Sequence, residues 1–284
     1  MKITAGAVVV ITGASTGIGR DLAIMFAKNF KAKLVLNARS ADGLSETAKL
    51  AEAAGSEVVT VCGDIADQQV LQAVEQQTRS RFGVPDVLVN NAGFAIPGAM
   101  HSITLDDWRK VFEVNFFSPL HLTYAFMPEW INLRKGMVVN IASVAGKIAF
   151  PGSVCYASTK FALTGFSEGM AAELGPKGID VITVCPGLVR TEFFRKNKNR
   201  NDITTMAEQK NLYGWILKNI ASISSEEAAA QIMKACQRGG CQEIVLTAPG
   251  VFLERLAGIY PPGAWWLSRF VPADRGPQQS IQSR

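Results

Sequence analysis

The sequence predicts a single doubly wound α/β domain, built on a parallel sheet of about seven strands with helices on both faces. Short apolar runs rich in β-branched residues recur along the 284 residues, and segments of helical periodicity separate them. Strands that are apolar throughout must be covered on both faces, which is typical of a parallel sheet between helices. No Pro-, Gly- or Ser-rich linker divides the chain, and its length suits one large domain.

Seven strand-like runs are predicted, at residues 7–12, 34–36, 58–61, 87–89, 137–141, 181–185 and 244–247. The segments between them, such as 67–81 and 156–174, are long enough for right-handed crossover helices. Ser224 and Glu227 form a capping-box pattern that predicts the start of the last of these helices. We expect one α/β domain at residues 1–250, in which the long segment 188–222 is a functional lid. Residues 251–284 should form an extension that packs on this domain.

Composition excludes several classes of protein. With 48% hydrophobic and 19% charged residues, the chain is not of the disordered class. The net charge of +5 is unevenly distributed, because residues 1–189 balance and residues 190–200 alone carry five basic side chains against one acidic. A uniform basic coat is therefore absent, and nucleic acid is not an expected partner. Five widely spaced cysteines and two histidines predict neither a disulfide framework nor a metal site. No apolar run reaches membrane-span length, and we expect a cytoplasmic protein.

A glycine-rich turn follows the first strand and opens a helical pattern, as in a Rossmann-type nucleotide-binding domain. Glycines there permit a tight turn and close approach of the backbone to a pyrophosphate, and the free N–H groups of the helix start favour its negative charge. The candidate cofactor residues of this turn are Gly13, Ser15, Thr16, Gly17, Ile18 and Gly19.

The spacing of these glycines resembles that of the short-chain dehydrogenase/reductase family. Other motifs of this family occur in order: Asn90-Asn91-Ala92-Gly93 after the fourth strand, and Pro186-Gly187 with Thr191 after the sixth. The resemblance extends from residue 7 to about residue 250 and implies a nicotinamide-dependent oxidoreductase (EC 1.1.1.-). It adds to the candidate cofactor residues Asp64, Ile65, Asn91, Ala92, Gly93, Pro186, Gly187, Val189 and Thr191.

The end of the second strand indicates which cofactor is used. Many family members have an acidic residue there that holds the ribose 2′-hydroxyl, whereas this chain has Ala38 followed by Arg39. A guanidinium can bind a 2′-phosphate through charge-assisted bonds that a carboxylate would oppose. We expect NADP(H) to be preferred over NAD(H). A surface arginine without a ligand is the alternative, and no basic residue precedes Gly17 as in some NADP-dependent members.

Four residues match the catalytic set of the family, namely Asn115, Ser143, Tyr156 and Lys160. Tyr156 and Lys160 are four residues apart, so they share one face of a helix, and both should also contact the cofactor. A nearby ammonium should lower the pKa of the phenol, and Ser143 should hydrogen-bond the carbonyl oxygen. The resemblance implies that Asn115 holds a water that links Lys160 to solvent, and that the hydride leaves the B face of the nicotinamide.

The substrate side is less specific. Apolar candidates at the strand ends are Phe94, Val144, Ala145, Phe193 and Phe194, which would suit a small hydrophobic carbonyl or alcohol. The long lid and extension are similar to members that act on steroid, retinoid or lipid-like carbonyls. A 3-oxoacyl-thioester (ACP or CoA) reductase and a non-catalytic NADP(H)-sensing regulator are alternatives. The resemblance implies a homodimer or homotetramer, and the tail around Trp265 and Trp266 suits a membrane interface, a dimer contact or a pocket wall equally.

Overall fold

The computed structural model describes residues 1–190 and 222–260, together with residue 263. The predicted site residues Thr191, Phe193 and Phe194 lie outside the described residues. The same holds for most of the predicted lid, for the basic residues 195–200 and for most of the predicted extension.

Seven parallel strands form the central sheet, in the order β3-β2-β1-β4-β5-β6-β9. This arrangement confirms the predicted doubly wound α/β domain. The order reverses between β1 and β4, which makes the carboxyl ends of these two strands the expected binding crevice. The strands are β1 Val8–Thr12, β2 Lys33–Ala38, β3 Val58–Cys62, β4 Val87–Asn90, β5 Gly136–Ile141, β6 Ile179–Cys185 and β9 Gln242–Val245.

Helices cover the sheet on both faces, as predicted. The first face carries α1 Gly17–Phe30, α2 Ala41–Ala53 and α7 Ser225–Arg238, and the second carries α3 Gln68–Phe82, α5 Ser118–Leu133 and α6 Val154–Leu174. Successive side chains of the central strands pack alternately in the two core layers, so that Val9 packs on the first face and Val10 on the second. This burial on both faces explains why the strands are apolar throughout.

Helix α7 begins as the sequence predicts. The Ser224 hydroxyl accepts from the Glu227 N–H at 3.1 Å, and the Ser224 N–H donates to the Glu227 carboxylate at 2.7 Å. The pKa of Glu227 is held below its usual value, because the backbone N–H and the side chain of Ser224 hydrogen-bond its ionised carboxylate.

Three short features were not predicted. Strands β7 Leu188–Arg190 and β8 Ser222–Ser224 pair in parallel as a separate two-stranded sheet. Helix α4 Leu105–Phe112 continues through a π-helical turn, Glu113–Phe117, into α5. Helix α8 Ala248–Ile259 follows β9 directly. Among the described helices, none combines the length and apolarity needed to cross a bilayer.

Candidate active site

The glycine-rich turn lies between β1 and α1 at the strand-order reversal. Gly13 and Gly17 adopt φ angles of +66° and +56°, a backbone conformation that other residues rarely adopt. At Gly19, a Cβ atom would lie 2.5 Å from the Gly13 carbonyl oxygen. The side chain of Thr16, at the N-cap of α1, makes no capping hydrogen bond, and the first turn carries no acidic residue. This cradle fits a pyrophosphate, because backbone N–H groups stay available for its oxygens.

The turn is tied to the loop after β4. The Asn91 amide donates to the carbonyl oxygens of Thr12 and Gly13 at 2.9 and 3.1 Å. The Thr12 hydroxyl in turn accepts from the N–H groups of Asn91 and Ala92 at 3.1 and 3.0 Å. This role of Thr12 was not predicted from the sequence. The available signal was a polar residue at the end of an apolar strand, directly before the glycines.

The predicted adenosine residues come together at the ends of β2 and β3. Arg39 and Asp64 form an ion pair at 3.7 Å, and both side chains are exposed. The buried Asn37 amide donates to the carbonyl oxygens of Val61 and Gly63 at 3.0 and 3.3 Å, which joins the two strand ends. Ile65 is buried beneath them. An exposed guanidinium at this position fits a phosphate on the adenosine ribose.

Tyr156 and Ser143 meet at the end of β5. Ser143 caps the turn of residues 144–146, and its hydroxyl accepts from the Ala145 N–H at 3.1 Å. Burial raises the pKa of Tyr156 to about 12, and a hydrogen bond with Ser143 acts in the opposite direction. The pKa of Tyr156 is thus raised overall, whereas we predicted that the Lys160 ammonium would lower it. The Lys160 Nζ lies 5.7 Å from the ring centroid of Tyr156, and burial has the larger effect.

Lys160 is buried one helical turn after Tyr156, as predicted. Its Nζ donates to the Ile141 carbonyl oxygen at 2.7 Å, and burial lowers the pKa of its ammonium to about 8. The ammonium form still predominates at neutral pH. The Lys160 side chain therefore brings a positive charge, held by the last residue of β5, to the predicted catalytic centre.

Asn115 is placed by the π-helical turn, which directs it into the protein. Its side-chain oxygen accepts from the Phe94 N–H at 3.0 Å, and its Nδ2 donates to the Phe94 carbonyl at 2.9 Å and to the Thr159 hydroxyl at 3.0 Å. A Cβ atom at Gly93 would lie 3.2 Å from the Asn115 side-chain oxygen and 3.5 Å from the Lys160 Nζ. Gly93, Asn115 and Lys160 thus converge. A π-helical turn inside a helix often marks a functional site.

The loops after β5 and β6 close the same end of the sheet. The Val144 N–H donates to the Pro186 carbonyl at 2.9 Å, and a Cβ atom at Gly187 would lie 2.1 Å from the Thr247 hydroxyl. Val189 is buried in β7. These contacts hold the two loops together at this end of the sheet. The close approach of Thr247 leaves no room for a side chain at position 187, so glycine is required there.

The predicted substrate residues are placed less uniformly. Val144 and Ala145 are buried in the turn after Ser143. Phe94 is half-buried and packs against the core layer of the second face. These three residues lie beside the cluster of Ser143, Tyr156 and Lys160. Their contact with the substrate stays a prediction.

Comparisons with known proteins show which family the chain resembles. The family described as short chain dehydrogenase matches residues 7–203. "Dehydrogenase/reductase SDR family member 7B" of Rattus norvegicus is 35% identical over 231 residues, which cover 79% of this chain and 68% of that protein. "Estradiol 17-beta-dehydrogenase 11" of Macaca fascicularis is 35% identical over 197 residues, which cover 68% of this chain and 65% of that protein.

A solved structure shares the architecture. L-Sorbose reductase from Gluconobacter frateurii, complexed with NADPH and L-sorbose, superposes with a TM-score of 0.74 at 28% identity. The match covers 87% of this chain and 98% of that one.

Fold, glycine turn and polar cluster together define a nicotinamide-dependent oxidoreductase. The chain belongs to the short-chain dehydrogenase/reductase family. As a member, it acts on CH–OH or C=O groups.

Proposed function

We propose that this protein interconverts a hydrophobic ketone or aldehyde and the corresponding alcohol, with NADP(H) as cofactor and Tyr156 as the acid or base. The observation that carries the proposal is the cluster of Ser143, Tyr156 and Lys160 at the end of β5. It lies at the same edge of the sheet as the glycine turn. A proton donor and a phosphate cradle are thereby combined at one edge.

The proposed reduction needs one hydride and one proton. A nicotinamide cofactor held at the glycine turn would supply the hydride for the carbonyl carbon. Tyr156 gives its hydroxyl proton to the carbonyl oxygen, and Ser143 donates a hydrogen bond to that oxygen as its charge develops. A pKa of about 12 suits Tyr156 to hold its proton until that charge appears. In the oxidative direction the same steps run in reverse, with Tyr156 as the base.

Lys160 and Asn115 complete the proposed proton path. A charged Lys160 favours the phenolate that remains after the proton is given up. We infer that it also bonds the nicotinamide ribose, and that a water held at Asn115 links it to solvent. The hydrogen bonds of Asn115 to Phe94 and Thr159 keep it in the rigid position that such a role requires.

We propose that NADP(H) is preferred over NAD(H). The guanidinium of Arg39 is the basis for this preference, since Ala38 occupies the position of the family's acidic residue. Binding of a 2′-phosphate would replace the ion pair of Arg39 with Asp64, which is weak because both groups are exposed. Arg39→Ala should weaken NADPH binding much more than NADH binding in fluorescence titrations. Equal weakening of both would overturn the assignment, and Arg109→Ala, another exposed ion-paired arginine, is the control.

We infer that the substrate is hydrophobic, with the lid at 188–222 and the extension at 251–284 as part of its site. The apolar candidates after β4 and β5 support this. One relative bears the name of an estradiol dehydrogenase, whereas the structural neighbour was solved with a sugar ketone. A 3-oxoacyl-thioester reductase is the second candidate, because residues 190–200 carry a net charge of +4 that an acidic carrier would meet.

A substrate screen tests the proposal. NADPH oxidation would be followed with a ketosteroid, a medium-chain 2-ketone, L-sorbose and a 3-oxoacyl-CoA, using the wild type and Tyr156→Phe. We expect turnover of a hydrophobic ketone that is lost in the variant, with NADPH binding retained. A clear preference for the thioester would favour the second candidate. Tight NADPH binding without turnover on any carbonyl would contradict both.

We also propose a homodimer or homotetramer in the cytoplasm. Phe117 and Tyr124 near α5 and Phe161 on α6 are exposed apolar residues that an interface could cover. The five cysteines are free thiols, which suits a reducing compartment. Light scattering after size-exclusion chromatography should give two or four chains, and a monomer at micromolar concentration would contradict this.

A further inference from the structure

A three-way ion bridge lies beside the turn that follows Ser143. Lys147 ends this turn, and its Nζ contacts the carboxylate of Glu243 on β9 at 2.7 Å and that of Glu168 on α6 at 3.2 Å. The Lys147 and Glu243 side chains are only 19% and 25% exposed, whereas Glu168 is 64% exposed. The bond to Glu243 is therefore the partly desolvated one, and that to Glu168 is a surface pair of small value.

The bridge joins three elements of the fold. Strand β9 is the edge strand of the sheet, where Glu243 lies opposite Thr183 of β6. Helix α6 carries Tyr156 and Lys160, which precede Glu168 by twelve and eight residues. The turn after β5 carries Ser143. One ammonium thus connects the sheet edge, the catalytic helix and the turn that presents the catalytic serine.

The turn has little freedom to move without affecting the catalytic residues. A Cβ atom at Gly146 would lie 2.6 Å from the Lys160 carbonyl oxygen and 2.8 Å from the Thr164 hydroxyl, so the turn rests directly on the backbone of α6. The Val144 N–H holds the other side of the turn to Pro186. A shift of residue 147 is consequently transmitted to the Ser143 hydroxyl across four residues of tight turn.

The charge of Lys147 is stable at working pH. Burial acts to lower the pKa of this ammonium, but the hydrogen bond and charge of Glu243 and the hydrogen bond of Glu168 outweigh it and keep the pKa above the ordinary value. The bridge therefore stays ionised wherever the reductase reaction is expected to run.

We propose that Lys147 is a positioning residue, which holds Ser143 against Tyr156 by anchoring the turn after β5 to Glu243 and Glu168. This inference rests on the proposed function, because it assigns a purpose to the Ser143–Tyr156 pair. Lys147 itself is not expected to touch cofactor or substrate.

The test compares Lys147→Met with Lys147→Arg and with Lys135→Met. Lys135 pairs with Asp86 at 2.5 Å just before the opposite end of β5, which makes it a matched control. We expect Lys147→Met to lower kcat with the best ketone of the screen by about 10- to 100-fold, as displacement of a catalytic group by about 1 Å would. The dissociation constant of NADPH should change by less than about twofold, and arginine should restore most of kcat.

A second readout separates this inference from the proposed function. Amide hydrogen exchange of residues 144–148 should accelerate in Lys147→Met and Glu243→Gln. The double variant should resemble Lys147→Met, because that substitution already removes the bond to Glu243. Lys135→Met should leave this exchange unchanged. Wild-type exchange and kcat in Lys147→Met would overturn the inference. Faster exchange in Lys147→Met, together with full activity of Tyr156→Phe, would instead overturn the proposed function.

Discussion

Replacing Lys160 with methionine should stabilise the fold at neutral pH and remove the reductase activity. Lys160 is 4% exposed, so a methionine side chain would occupy a site that is already shielded from water. Its pKa falls from 10.5 to about 8 because burial penalises the ammonium. Below about pH 8 the folded protein carries a buried charge that the unfolded chain would solvate. The cost disappears as the pH rises from about 8 to 10.5.

The size of the effect follows from these two pKa values. A difference of about 2.5 between them, at about 1.4 kcal/mol for each pKa unit, corresponds to about 3 kcal/mol at pH 7. Methionine also loses the hydrogen bond to the Ile141 carbonyl, worth about 1 kcal/mol. We expect Lys160→Met to be more stable by about 2 kcal/mol at pH 7. Above about pH 10 the sign should reverse, because only the lost hydrogen bond remains.

Urea unfolding of the two proteins at pH 7, 8.5 and 10 would measure this difference. The free energy of unfolding of the variant should exceed that of the wild type at pH 7, and the gap should close with rising pH. NADPH turnover should be lost at every pH. A variant less stable than the wild type at pH 7, with a gap that does not change with pH, would refute the reasoning about the buried ammonium.

Three further substitutions, with Gly169→Ala as a control, test other parts of the site. Gly19→Ala should abolish NADPH binding in a fluorescence titration, because its Cβ would lie 2.5 Å from the Gly13 oxygen. Gly169→Ala has open space in α6, so it should bind normally and gain about 0.5–1 kcal/mol of stability; equal binding by both variants would contradict the cradle. Asn115→Leu strips three hydrogen bonds and should cost about 2–4 kcal/mol in urea unfolding, and an unchanged midpoint would count against its structural role. Ser143→Ala should lower kcat about 100-fold with NADPH affinity unchanged, and a loss of affinity instead would point to a cofactor role.

The fold and the outline of the site could be predicted because they depend on local patterns. Fully apolar strands, the glycine turn after β1 and the Tyr156–Lys160 spacing each specify their structure within a few residues. The capping box of Ser224 and Glu227 was predictable for the same reason. In each case the signal and the structure lie within one turn or one strand.

Other features depend on contacts between distant segments. Nothing in residues 113–117 distinguishes a π-helical turn from an ordinary helix, since the turn serves contacts of Asn115 with Phe94 and Thr159. The bridge of Lys147 joins residues up to 96 positions apart in the chain. The pKa of Tyr156 was predicted with the wrong sign, because the amount of burial was not visible in the sequence.

In the proposed reaction, a hydrophobic carbonyl beside Ser143, Tyr156 and Lys160 receives a hydride from the nicotinamide cofactor and a proton from Tyr156. Single-turnover reduction with NADPH that carries deuterium on the B face tests it directly, with the product analysed by mass spectrometry. We predict one deuterium on the carbinol carbon in the wild type and no product on the same time scale in Tyr156→Phe. Product without deuterium, or equal rates in the two proteins, would contradict the account.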